Sequence, residues 1–134
     1  MSKPHVDHIG IIVGDLDRAV ATFAPLFGAQ PSSTKTLTES GIRVAEFEAA
    51  NITVELIEYC EAGDSFAKTV MGTTEGINHL SLRVDNVDDS IKSLAASGVT
   101  VMDGFPTQGA HGTVAFFEPD TTQGLLFEIC EPDR

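Results

Sequence analysis

The sequence predicts an α+β fold of two βαβββ modules that form a curved mixed sheet around a cleft. Three observations carry this expectation. "HIGIIVGDLDRAV" from His8 recurs as "HLSLRVDNVDDSI" from His79, an offset of 71. "VAEFE" from Val44 recurs as "VAFFE" from Val114, and "VELIE" from Val54 as "FEICE" from Phe127, at offsets of 70 and 73. Each copy also reads strand, helix, strands in the same order, so one supersecondary unit is written twice. A chain of 134 residues suits a single domain, 1–134, with repeat modules of about residues 5–60 and 76–132.

In the first module, the apolar run Ile9 to Val13 is a strand. Asp15 and Asp17 then signal a helix start, because short acidic side chains accept from free amides and suit the positive helix end. Leu16, Val20, Phe23 and Phe27 recur at intervals of three and four, and Gly28 stops the helix. A short, weakly marked strand is expected at Gln30 to Leu37. Ile42 to Glu48 and Ile52 to Tyr59 are strands joined by a tight turn at "AAN", Ala49 to Asn51. The link "CEAGDSFAKTVMGTTEG" holds a helical turn at Ser65 to Met71.

The second module repeats the plan. Leu80 to Val84 is a strand, Asp88 and Asp89 signal the helix start, and Val87, Ile91 and Leu94 lead to Gly98. The short strand is expected at Val99 to Met102. Val114 to Glu118 and Leu125 to Cys130 follow as strands, separated by the longer "EPDTTQG" connection.

Composition narrows the function classes. Hydrophobic residues are 42% and charged residues 21%, a balance that supports a packed core. A net charge of -12 argues against nucleic acid, whose phosphates require a basic face. No apolar run reaches the roughly 18 residues of a membrane span. "MSKPHVDH" lacks the apolar core of a secretory signal, so the expected location is the cytoplasm, with no membrane partner. Cys60 and Cys130 have no metal-finger spacing and are expected to be reduced and buried.

Four polar residues stand where core strands should be apolar. His8 and His79 head equivalent strands, and Glu55 and Glu128 occupy equivalent positions in "VELIE" and "FEICE". A buried carboxylate on an apolar strand is costly without a compensating charge. A divalent cation compensates both carboxylates at once, and two nitrogens with two oxygens suit Co, Ni, Zn or Mn. A lone His or Glu there reads as a satisfied core residue; the repeat pairing turns the quartet into a metal site placed in the cleft between modules.

Glu46 replaces the Phe116 of the second copy. With a two-residue turn at Ala50 and Asn51, it pairs directly across from Glu55 on the same sheet face. It then either reaches the cleft as a base or decorates an exposed edge. His5 falls in an expected frayed N-terminus. His111 lies in "QGAHGT", a loop whose glycines read as flexibility and whose histidine is a candidate substrate contact.

These stretches, from "DHIGIIVGDLDRAVATFAPLFGA" through "NITVELIEYCEAGDS" and "EGINHLSLRVDNVDDSI" to "GAHGTVAFFEP" and "GLLFEICE", resemble the vicinal oxygen chelate superfamily. Within it the chain is most similar to methylmalonyl-CoA epimerases. The resemblance implies paired βαβββ modules around a metal held by His8, Glu55, His79 and Glu128. It further implies proton transfer by glutamates, here Glu128 and Glu46, an acyl-CoA as the small-molecule substrate, and a homodimer. The sequence departs from the epimerases at Asn78, where they commonly carry a second histidine, and at "FEPDTT", where they tend to show His-Pro followed by Lys. Between Lys92 and Arg134 there is no Lys or Arg for a CoA pyrophosphate, leaving Lys35, Lys68 and helix amides.

Other readings stay open. A glyoxalase I type lyase shares the His, Glu, His, Glu pattern. An extradiol dioxygenase needs only two histidines and one carboxylate, which leaves Glu55 unexplained. A non-enzymatic small-molecule binder has no need of a complete quartet.

Overall fold

The computed structural model describes residues 3–133. These divide into two compact units, His8–Asn78 and the stretch from His79 onward together with the segment ending at Asp7. Each is a four-stranded mixed sheet with a helix on one face, which makes the α+β arrangement of two βαβββ modules the observed one.

In the first unit, β1 (His5–Ile12) leads into α1 (Leu16–Phe27). Asp15 caps the helix by accepting from the Arg18 amide, and Gly28 ends it at φ 66°, where a side chain would be strained. β2 (Ser33–Leu37), β3 (Ile42–Glu48) and β4 (Thr53–Tyr59) follow as antiparallel neighbours, and β4 lies parallel to β1. The hairpin turn closes with the Ala49 amide donating to the Ile52 carbonyl at 2.9 Å.

Strand alternation divides this sheet into two faces. Ala45, Phe47 and Leu56 pack under α1 with Leu16 and Ala24, and the Phe27 and Phe47 rings stack at 4.7 Å. Burying each of the larger side chains contributes about 1.5–3 kcal/mol. On the other face Ile12, Ile42, Val44 and Ile57 pack with Ala67 of α2 (Phe66–Met71). The helical turn expected in the link is therefore α2, capped by Ser65, and it belongs to the first unit's core.

The second unit runs β5 (Gly76–Arg83), α3 (Val87–Ala96), β6 (Thr107–Gln108), β7 (Gly112–Phe116) and β8 (Phe127–Pro132), with β8 between β5 and β7. Val87, Ala115, Phe117 and Ile129 form its core beneath α3.

Several expectations are corrected here. The α3 cap is Asn86, whose side chain accepts from the Asp89 amide; Asp88 and Asp89 lie in the first turn. Val99 to Met102 is not a strand: it touches β7's continuation through one Val101 to Phe117 bridge, and the fourth strand is β6. Gly104, at φ 91°, turns the chain away, and Pro106 has no amide to donate to a ladder. His5 is not frayed but is an exposed residue of β1. Cys60 is exposed, and only Cys130 is buried. The "QGAHGT" glycines reflect close packing, since a Cβ at Gly112 would lie 2.1 Å from the Glu131 carbonyl oxygen and one at Gly109 would lie 2.9 Å from Val114. Among the described residues, no helix is long and apolar enough to cross a membrane.

The last glutamate of each repeated motif has a structural role that the sequence reading missed. Glu58 accepts from the Leu16 amide at 2.8 Å, and its repeat partner Glu131 accepts from the Val87 amide at 2.9 Å. Each carboxylate thus satisfies a free amide at the positive end of its unit's helix. Glu58 also takes Arg43, which reaches Asp17 as well. Glu58→Ala and Glu131→Ala are each expected to lower stability by about 1–2 kcal/mol, as a lost cap does. Urea unfolding of both variants checks this.

Candidate metal centre

All five candidate site residues are buried, with exposures between 5% and 9%. In the first unit, His8 of β1 and Glu55 of β4 project from the face turned away from α1, and His8 Nε2 lies 3.5 Å from Glu55 Oε2. Glu46 of β3 pairs directly with Glu55, the register expected from the two-residue turn. Its burial removes the exposed-edge alternative. One face therefore holds an imidazole and two carboxylates on three adjacent strands. Two like charges directly opposite destabilise a sheet, and burial amplifies the effect unless a proton or cation intervenes.

In the second unit, His79 of β5 and Glu128 of β8 project from the face opposite α3, and they offer ligand atoms within 4.8 Å of each other. Phe116 pairs with Glu128 where the first unit has Glu46 facing Glu55. Its ring meets the His79 ring edge-on at 5.0 Å and fixes the imidazole plane. Each unit thus buries one imidazole and a carboxylate on the same sheet face. That donor chemistry fits a divalent cation of intermediate softness.

Other candidates separate from these residues. His111 is exposed, and its carbonyl accepts from the Asp133 amide at 2.7 Å. Asn78 donates to the Met71 carbonyl at 2.7 Å, a contact within the His8–Asn78 unit. Lys68 donates its ammonium to the Glu61 and Gly63 carbonyls and sits 5.4 Å from the Tyr59 ring centroid. Arg83 pairs with Asp7 at 2.8 Å, which raises its pKa further above the usual range.

The missed pair Glu58 and Glu131 left a readable signal. Each stands three residues after a candidate ligand on the same strand, and an odd spacing places them on the opposite face, toward the helix.

Residues 7–117 match the family described as Glyoxalase/Bleomycin resistance protein/Dioxygenase superfamily. The uncharacterized protein YqjC of Bacillus subtilis is 31% identical over 128 residues, covering 95% of this chain and 91% of that protein. The mitochondrial methylmalonyl-CoA epimerase of Dictyostelium discoideum is 30% identical over 132 residues, covering 94% and 77%. The Streptomyces coelicolor methylmalonyl-CoA epimerase, solved in complex with 2-nitronate-propionyl-CoA, superposes with a TM-score of 0.82 at 25% identity, covering 98% of this chain and 96% of that one. Fold, repeat and sequence agree: the chain belongs to the glyoxalase/bleomycin resistance protein/dioxygenase superfamily.

Proposed function

We propose that this protein is a metal-dependent epimerase or isomerase that moves a proton on the carbon next to a carbonyl, with methylmalonyl-CoA as its leading substrate. The observation that carries this reading is Glu46, a second buried carboxylate directly across from Glu55 on the face that also holds His8. In this proposal His8, Glu55, His79 and Glu128 hold one divalent cation, Co, Ni, Zn or Mn, with one imidazole and one carboxylate from each module. When bound, the cation supplies electrostatic stabilisation of the negative charge that develops on a substrate oxygen.

The chain's own groups carry the proton. Glu46, outside the ligand quartet, is the base that takes it from the alpha carbon. Glu128 is the group that returns one to the opposite face; the broken and re-formed C–H bond then has inverted configuration. The named epimerase relatives and the acyl-CoA held by the Streptomyces structure support this substrate class. The same likeness extends the proposal to a homodimer.

One observation favours a second reading, a glyoxalase I type lyase or related enzyme on a substrate without CoA. The Lys68 ammonium is committed to backbone carbonyls, Arg43 to Asp17 and Glu58, and Arg83 to Asp7, so these cations are engaged within the protein. A CoA pyrophosphate would gain little from them.

Mass-spectrometric deuterium exchange at the alpha carbon of methylmalonyl-CoA in D₂O tests both readings, with stripped protein and with each metal added. Metal-dependent exchange is the expected outcome. No exchange in protein shown to bind a metal removes the CoA substrate and turns attention to hemithioacetals.

A further inference from the structure

The second unit places a hydroxyl where the first has no side chain. Ser81 follows His79 by two residues on β5, shares its face, and pairs with Glu128. The equivalent position in the first unit is Gly10, paired with Glu55. Ser81 is fully buried, and its Oγ has no oxygen or nitrogen partner. A buried hydroxyl left so is unfavourable, and alanine or glycine at this position would avoid the penalty.

The neighbours narrow what the hydroxyl serves. Cys130, the next residue along β8 on the same face, offers the hydroxyl only a sulfur, which accepts weakly. Of the two residues paired with Glu128, Phe116 presents a ring and Ser81 presents a donor.

We propose that Ser81 is a positioning residue for the metal centre. In the loaded protein its hydroxyl donates to one oxygen of the Glu128 carboxylate and leaves the other to the cation. The assignment rests on the metal reading above. Hydrogen bonds from such outer partners fix a ligand's orientation, and losing one typically weakens metal affinity about 10–100-fold.

Wild type, Ser81→Ala and Ser81→Cys are stripped, compared by thermal unfolding, and titrated with Co²⁺ by calorimetry and visible absorption. Ser81→Ala is expected to weaken Co²⁺ binding about 10–100-fold and to shift the visible bands. Its metal-free Tm should be unchanged or higher, because a buried hydroxyl with at most a weak sulfur partner has been removed. Ser81→Cys, similar in volume but a weaker donor, should fall between. Wild type and Ser81→Ala binding Co²⁺ equally, with the same spectrum, would overturn the assignment alone. A wild type that binds no Co²⁺ would overturn the metal reading and the assignment with it.

Discussion

His79→Ala is expected to reduce metal affinity by more than about 100-fold and to abolish metal-dependent proton exchange, while far-UV circular dichroism stays unchanged. A first ligand matters more than the outer partners, whose loss already costs about 10–100-fold. The fold should survive, because the second unit's core of Val87, Ala115, Phe117 and Ile129 lies on the opposite face of the sheet. The lost edge-on contact with Phe116 should lower stability by about 0.5–1.5 kcal/mol, well short of unfolding. Metal content by mass spectrometry, read beside activity, checks the result. Full activity in a metal-stripped variant would remove the metal from the mechanism.

Glu46→Gln should separate proton transfer from metal binding. Glutamine keeps the volume and cannot act as the base, so exchange is expected to fall about 100-fold or more, within the usual contribution of a positioned acid or base. Metal content should hold, because Glu46 lies outside the proposed quartet. The stripped variant should also gain about 0.2–1 kcal/mol of stability, since the substitution removes a like charge directly across from Glu55. Turnover equal to wild type would remove Glu46 from the scheme, and loss of metal together with activity would make it a ligand.

How much of the site was legible follows from strand geometry. The pairing of Glu46 with Glu55 could be read from the "AAN" turn, because turn length sets register and register sets which side chains share a face. The helix α1 was legible to its ends, since Asp15 and Gly28 have local conformational reasons to stand where they do. The missing strand at Val99 to Met102 was not. Its apolar residues pack against the second unit's core in either conformation, and β-propensity does not separate a ladder from a single bridge.

The sequence by itself determined the duplication, the βαβββ order, the first hairpin's register and the equivalence of His8 with His79 and Glu55 with Glu128. These depend on repetition, periodicity and turn length, which act between near neighbours or between copies. Only the tertiary structure decided that Glu58 and Glu131 cap helices 42 and 44 positions away, that Gly112 is required by the Glu131 carbonyl, that Lys68 is held by backbone oxygens, and that Ser81 is buried beside Glu128. Each of these depends on which distant groups the packed sheets bring within hydrogen-bond or van der Waals reach, and residue spacing along the chain does not encode that distance.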